Sequence, residues 1–234
     1  MGSIFRFKHF EVDQAGCAMR INTDGVLLAA IAAHQDPKHL LDIGTGTGVI
    51  ALMLAQRYPD AFVDAVEIEL SAAEAAYSNF ENSPFEARMN LFPGDVADFE
   101  PGYEYDLVVS NPPYFVNDLK NPEQRKSLAR HADEDFFESL ARKVASLLSD
   151  NGVFWVILPV KQAEELIYKA VLFGLFPSRM IHVYSDEEKP QFRQIICFSF
   201  ADAGKKEEDF YIYASPGIYT EAYVALLKDF FLAF

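Results

Sequence analysis

From residue 40 onward, short apolar runs alternate with longer segments of helical period. LLDI (40–43) has the length and composition of a buried strand, and the segment from about Thr47 to Arg57 is apolar nearly all round, which predicts a buried helix. FVDAVEI (62–68) predicts the next strand. Ser71-Ala72-Ala73-Glu74 has the form of a capping box, opening a helix that runs to about Glu81. Further strands are predicted at 87–92, at YDLVVS (105–110), at GVFWVIL (152–158), near 179–184 and at QIICFSF (194–200). Helices at about 134–149 and 161–173 separate the middle ones. Alternation of this kind predicts a parallel sheet covered by helices on both faces. The last two strands have no helix between them, so the sheet should end antiparallel.

The ends of the chain read differently. Residues 4–14 (IFRFKHFEVDQ) alternate around aromatics and predict a short hairpin. Asn22-Thr23-Asp24-Gly25 then opens an apolar helix over roughly Val26–Ala33. AGKKEED (203–209) reads as a solvated turn. The economical organisation is one domain over 1–234, with a hairpin and helix extension at 1–35, a core at 40–200 and a C-terminal extension at 205–234.

Composition narrows the class. The 234 residues are half apolar and 14% aromatic, enough to fill the core of one sizeable α/β domain. No run approaches the roughly 20 apolar residues that span a bilayer, so no membrane association is expected. The N-terminus lacks the apolar run and cleavage site of a secretory leader, and Cys17 and Cys197 lie 180 positions apart without a CxxC pair, which fits a reducing cytoplasm. His9, His34, His39, His131 and His182 have no HExxH spacing and no neighbouring cysteines, so no metal is expected. The net charge of −15 opposes nucleic-acid binding by the bulk of the molecule, so any such binding must come from a local basic patch.

Candidate chemistry begins at Asp42-Ile43-Gly44-Thr45-Gly46-Thr47-Gly48, between the first core strand and its helix. Glycines there allow a sharp turn and close approach of a ligand, and a helix N-terminus offers N–H groups. The spacing is GxGxG after an aspartate, not the GxGxxG of nicotinamide binders, and no Lys follows as in a P-loop. Glu67 closes the second strand, 25 residues after Asp42, where an acid can accept from both hydroxyls of a ribose. The third strand leads into Gly94-Asp95-Val96, where Asp95 could hold an adenine amino group. This ordered series resembles motifs I, II and III of the class I S-adenosylmethionine (SAM)-dependent methyltransferases. The resemblance implies a doubly wound, mostly parallel, Rossmann-like seven-stranded sheet.

The fourth core strand ends in Ser110 and is followed by Asn111-Pro112-Pro113-Tyr114-Phe115. Two prolines stiffen the backbone, so the Asn111 side-chain oxygen and the Pro112 carbonyl can form two acceptors aimed at one NH2 group. An adjacent Tyr or Phe supplies a stacking face for a planar base. The lone pair of an exocyclic amine or amide is delocalised. Two acceptors on its protons favour a pyramidal nitrogen, so rate would come from placement and electrostatics. No general base and no nucleophilic triad is evident beside it.

Glycine loop and NPPY together resemble amino-methyltransferases acting on DNA, RNA or a release-factor glutamine. FRFKHFEVDQ, MRINTDGVLLAA, NPPYF and YTEAYVALLKDFFLAF, spread over nearly the whole chain, resemble more narrowly the bacterial tRNA adenine N6-methyltransferases. That family modifies the adenine immediately 3′ of the anticodon, adenosine 37, in a valine tRNA. The resemblance implies a cytoplasmic enzyme that uses SAM, releases S-adenosylhomocysteine, and takes tRNA as substrate with no obligate protein partner. It carries Asp42, Gly44, Gly46, Gly48, Glu67 and Asp95 to cofactor binding. Asn111 is carried to both cofactor and acceptor, and Pro112, Pro113 and Tyr114 to the acceptor.

Between Val116 and His131, Lys120, Arg125, Lys126 and Arg130 outnumber Asp118 and Glu123 and are candidates for phosphate contact, with Phe115 as a further stacking face. Arg6, Lys8 and Arg20 add positive charge near the N-terminus. An anticodon loop exposes unstacked bases, so presenting the target adenine costs little. The runner-up, a release-factor glutamine N5-methyltransferase, shares DxGTGxG and NPPY but usually carries a helical N-terminal domain. Only 39 residues precede Leu40 here. A silent SAM- or RNA-binding module is disfavoured by the intact NPPY, and an NAD-dependent oxidoreductase by the glycine spacing.

Overall fold

The computed structural model describes residues 4–15, 20–112 and 136–234. Strands β1 (Ile4–Arg6) and β2 (Glu11–Asp13) pair antiparallel as the expected hairpin. Phe7, Phe10 and Val12 are buried, with the Phe7 and Phe10 rings stacked at 4.4 Å, and Phe7 bridges to Phe231. The two ends of the chain therefore clasp each other. Helix α1 (Thr23–Ile31) starts earlier than its apolar run because Asn22 caps it, its side chain accepting from Gly25 N. Every residue from Asp24 to Ile31 is buried.

The main sheet contains β3 (His39–Ile43), β4 (Phe62–Glu67), β5 (Met89–Pro93), β6 (Tyr105–Ser110), β7 (Leu148–Leu158), β8 (Phe176–Tyr184), β9 (Arg193–Ser199) and β10 (Lys206–Tyr211). Their order across the sheet is β10-β8-β9-β7-β6-β3-β4-β5. Strands β5, β4, β3, β6 and β7 run parallel, and β9 runs antiparallel between β7 and β8. The antiparallel ending is as the missing helix predicts.

Three expectations are corrected. Among the described residues the sheet has eight strands, not seven, and the charged stretch expected to be a solvated turn instead enters β10, parallel to β8. An edge strand tolerates such a sequence because its charges can reach partners at the rim: Glu208 meets Arg179, and Glu207 meets His182. In addition, Ser71 does not cap helix α3 (Leu70–Glu81). Glu69 does so, accepting from Ser71 N at 3.1 Å and Ala72 N at 2.7 Å, and its carboxyl is held below its ordinary range by the Ser71 hydroxyl and those N–H groups.

Helices α1, α2 (Val49–Arg57), α3 and α6 (Glu221–Leu227) contribute to the core on one face of the sheet. Helices α4 (136–147) and α5 (Val160–Val171) contribute to the core on the other. One polar group lies deep between strands without being orphaned. Asp64, 1% exposed on β4, accepts from Tyr105 OH at 2.6 Å, Tyr103 OH at 2.5 Å and Asn90 Nδ2 at 2.8 Å. Burial and that carboxylate push both tyrosine hydroxyls above their ordinary range.

Candidate active site

Parallel strands bring their carboxyl ends to one edge, and four of them line up there. Glu67 of β4 is in register with Pro93 of β5, Val66 with Ile43 of β3, and Ile43 with Ser110 of β6. The Ser110 hydroxyl donates to the Ile43 carbonyl at 2.9 Å and locks the last pair. Asp95, Glu67, the Gly44–Gly48 loop and Asn111 therefore follow one another along a single crevice edge, though 69 positions separate Asp42 from Asn111. At about 4.8 Å per strand the row spans about 14 Å, the scale of an extended nucleoside ligand.

The glycine loop is tied down from below. Gly44 N and Thr45 N both donate to Val66 O, at 2.9 and 3.2 Å. Gly44, Gly46 and Gly48 have φ of 72°, 58° and 86°. Gly48 is additionally hemmed in, because a Cβ there would lie 2.5 Å from the Phe80 ring. Over Gly44 and Gly46 a Cβ would meet nothing within 4 Å among the described residues, which leaves the space above the turn to a ligand.

Two carboxylates hold this loop. Asp42 is fully buried; its Oδ2 accepts from Thr45 Oγ1 at 2.6 Å and from Ala51 N, in the first turn of α2, at 3.2 Å. Burial pushes its carboxyl up to about 7, hydrogen bonds from Thr45 and Ala51 pull the other way, and nearby Glu67 adds repulsion. Asp42 Oδ1 is buried and has no hydrogen-bond partner among the described residues. Glu67, 7% exposed, accepts from Gly46 N at 2.8 Å and Glu69 N at 2.9 Å. The N–H groups of Gly46 and Ala51 already serve carboxylates. The Glu67 carboxyl beside the turn disfavours a phosphate there and favours a cation. A sulfonium with an α-amino group fits this donor set.

Asp95 is exposed, and its Oδ1 caps a short 3-10 turn by accepting from Ala97 N at 2.9 Å. Ile68, next to Glu67, is 66% exposed and offers an apolar face beside it.

Asn111 stands at the far end of the row, half-buried. A Cβ on Gly25 of α1 would lie 3.6 Å from Asn111 Nδ2 and 3.6 Å from Ile50 of α2, so the first turn of α1 forms one wall of the Asn111 site. Pro112 is buried beside it. The expected site residues Pro113, Tyr114, Phe115, Lys120, Arg125, Lys126 and Arg130 lie outside the described residues. Arg6 pairs with Glu11 at 2.8 Å, and Lys8 Nζ donates to backbone oxygens of Lys228 and Phe234, so both side chains are engaged within the clasped termini.

Sequence reasoning missed three contributors. Thr45 bonds Asp42 from inside the GxGxG spacing and was available to it. Asn79 of α3 accepts from Asp13 N at 2.8 Å and donates to Thr47 O at 2.9 Å, bolting the hairpin to the glycine loop. Arg193 pairs with Asp24 across 169 positions, a contact that no local pattern signals.

Residues 17–177 match the family described as methyltransferase small domain. The chain is 56% identical over 234 residues, covering 100% of both chains, to a protein of Pedobacter heparinus named tRNA1(Val) (adenine(37)-N6)-methyltransferase. It is 38% identical over 229 residues, 97% of each chain, to a protein of the same name from Bacteroides thetaiotaomicron.

The chain belongs to this methyltransferase family.

Among solved structures, the methyltransferase superposes on a predicted O-methyltransferase from Agrobacterium tumefaciens with a TM-score of 0.67 at 19% identity, covering 88% of this chain and 96% of that one. A glycopeptide N-methyltransferase complexed with S-adenosyl-L-homocysteine gives a TM-score of 0.55 at 13% identity, over 78% of this chain and 90% of that one. These likenesses establish the class I fold. The methyltransferase uses SAM, and the carboxylate-held loop fits that donor on its own chemistry. Among the described residues, no helix is long and apolar enough to cross a membrane.

Proposed function

We propose that this methyltransferase transfers the SAM methyl group to N6 of adenosine 37, beside the anticodon of a valine tRNA, in the cytoplasm, acting as a single catalytic domain. The carrying observation is the Ile43–Ser110 register, which sets Asn111 one strand away from the glycine loop. The names of full-length relatives support the choice of acceptor.

In this reading Glu67 accepts from the ribose hydroxyls and Asp95 holds the adenine amino group of the donor. Gly44, Gly46 and Gly48 let the backbone lie close beneath its methionine part, over Asp42. SAM supplies an electrophilic methyl group on a cationic sulfur. Asn111 Oδ1 and the Pro112 carbonyl accept from the two N6 protons of the target adenine. Held so, the nitrogen lone pair points away from the ring plane and toward the methyl carbon. A C–N bond forms as the C–S bond breaks, and the displaced N6 proton passes to water. Pro113 stiffens the turn, and Tyr114 and Phe115 stack on the base. Lys120, Arg125, Lys126 and Arg130 supply the local positive charge that a molecule of net charge −15 needs to hold an anticodon stem.

The test is mass spectrometry of nucleosides from tRNA incubated with SAM and either the parent or Asn111→Ala. The parent should raise N6-methyladenosine in valine tRNA. The variant should turn over about 100-fold more slowly, as expected for loss of a preorganised transition-state contact, with unchanged S-adenosylhomocysteine affinity. Absence of that nucleoside with the parent, or near-normal turnover in the variant, overturns the reading.

A further inference from the structure

An ion pair at the catalytic edge joins residues that belong to neither the glycine loop nor the Asn111 turn. Arg193 Nε donates to Asp24 Oδ2 at 2.6 Å, with side chains 25% and 10% exposed. Arg193 opens β9, and because β9 runs against β7, with Gln194 opposite Leu158, its first residue lies at the carboxyl edge where the site is built. Its guanidinium is further restrained: Nη1 donates to Phe192 O at 2.9 Å, and Cζ lies 5.4 Å from the Phe192 ring centre. Asp24 is in the first turn of α1, next to Gly25, and Gly25 packs beside the Asn111 amide.

A pair this buried contributes little net stability, because desolvation of both charges offsets their attraction. Its distinctive property is direction. A charge-assisted hydrogen bond to a planar guanidinium fixes distance and angle in a way that apolar packing does not. The part so fixed is the wall against which Asn111 stands.

We propose that the Asp24–Arg193 pair is a positioning device for methyl transfer. It anchors the first turn of α1 to the start of β9, and that turn aligns the Asn111 amide with the acceptor nitrogen. Arg193 thus acts on turnover through α1 and Asn111. The inference rests on the reading of Asn111 as the acceptor-holding residue.

The test compares Arg193→Ala, Arg193→Lys, Asp24→Asn and the double variant Asp24→Asn/Arg193→Ala in the full chain. The readouts are kcat and KM for tRNA, S-adenosylhomocysteine affinity by calorimetry, and Tm. Arg193→Ala should lower kcat by about 10–100-fold, the scale of a misplacement of about 1 Å, while KM and cofactor affinity stay within about twofold. Arg193→Lys, which keeps the charge and loses the fork, should recover part of kcat. If Arg193→Ala does not fold, Arg193→Lys carries the test with a smaller fall confined to kcat. The double variant should be no slower than the slower single one, because the two residues act as a unit. Unchanged kcat, an equal loss of cofactor affinity, or multiplicative losses in the double variant overturn the proposal. Asn111→Ala in the same assay separates the two readings. If it keeps turnover, the acceptor reading fails; if it loses turnover while the Arg193 variants do not, the positioning role alone fails.

Discussion

Glu67 Oε2 accepts the backbone N–H of Gly46 at 2.8 Å, so the acid that closes β4 also braces the turn that follows β3. One carboxylate thereby couples two strand ends, and a ligand that bonds to it also sees a loop already shaped.

Replacing Glu67 with Ala removes both the brace and the acceptor. S-adenosylhomocysteine affinity should fall by about 1.5–3 kcal/mol, the range for a hydrogen bond to a charged group. Isothermal calorimetry checks this, and an unchanged Kd would remove Glu67 from the cofactor site.

Gly48 combines φ of 86° with a position where a Cβ would lie 2.5 Å from Phe80. Gly48→Ala should destabilise the protein by about 2–4 kcal/mol, of which about 1–2 kcal/mol is the cost of left-handed backbone for an L residue. Adding Phe80→Leu should restore the steric part only. Urea denaturation of the three proteins tests it, and a Gly48→Ala variant as stable as the parent would contradict this geometry.

Asp42 predicts a pH dependence of definite sign. Its folded pKa of about 7 lies above the ordinary aspartate value, so between pH 4 and 7 the folded state holds a proton that the unfolded chain has lost. Stability from this group is full below about pH 4, declines as pH rises through the window, and levels off above about 7. Relative to Asp42→Asn, which does not titrate, the parent should lose on the order of 2–4 kcal/mol between pH 4 and pH 8. Denaturant midpoints of both proteins across that range measure the gap. A gap independent of pH would show Asp42 ionised throughout.

Charge reversal in the basic stretch tests the RNA contact. If Lys120, Arg125, Lys126 and Arg130 neutralise three or four phosphates, log K for tRNA should fall with log salt at a slope of about −2 to −4, while cofactor affinity barely changes. Lys126→Glu with Arg130→Glu should reduce the slope and tRNA binding without lowering Tm. Salt-independent binding, or unaltered tRNA methylation by the double reversal, would exclude this stretch from the substrate surface.

Much of the candidate site was legible in the chain because its parts are local. Asp42 through Gly48 sits within one strand-to-helix turn, Glu67 and Asp95 close or follow single strands, and Asn111-Pro112 is one dipeptide after another. Regular strand–helix alternation then requires a parallel sheet, and a parallel sheet brings successive carboxyl ends to the same side. The antiparallel β9 was legible for a similar reason, since too few residues separate it from β8 for a helical crossover.

Tertiary structure decided what depends on distance in space rather than along the chain. Lys206–Tyr211 pairs with β8 because Glu208 finds Arg179 and Glu207 finds His182, which a charged stretch read alone does not disclose. Glu69 caps α3 in place of Ser71 because the helix begins at Leu70, which puts Glu69 at the N-cap position and Ser71 inside the first turn. Arg193 meets Asp24, and Asn79 meets Thr47, only in the folded arrangement, which brings distant segments together. Local pattern specifies which backbone each segment adopts, since that is a matter of periodicity and steric preference. Which buried polar groups satisfy one another is settled by packing, where an unpaired charge or amide costs too much to leave and the nearest partner in space answers it.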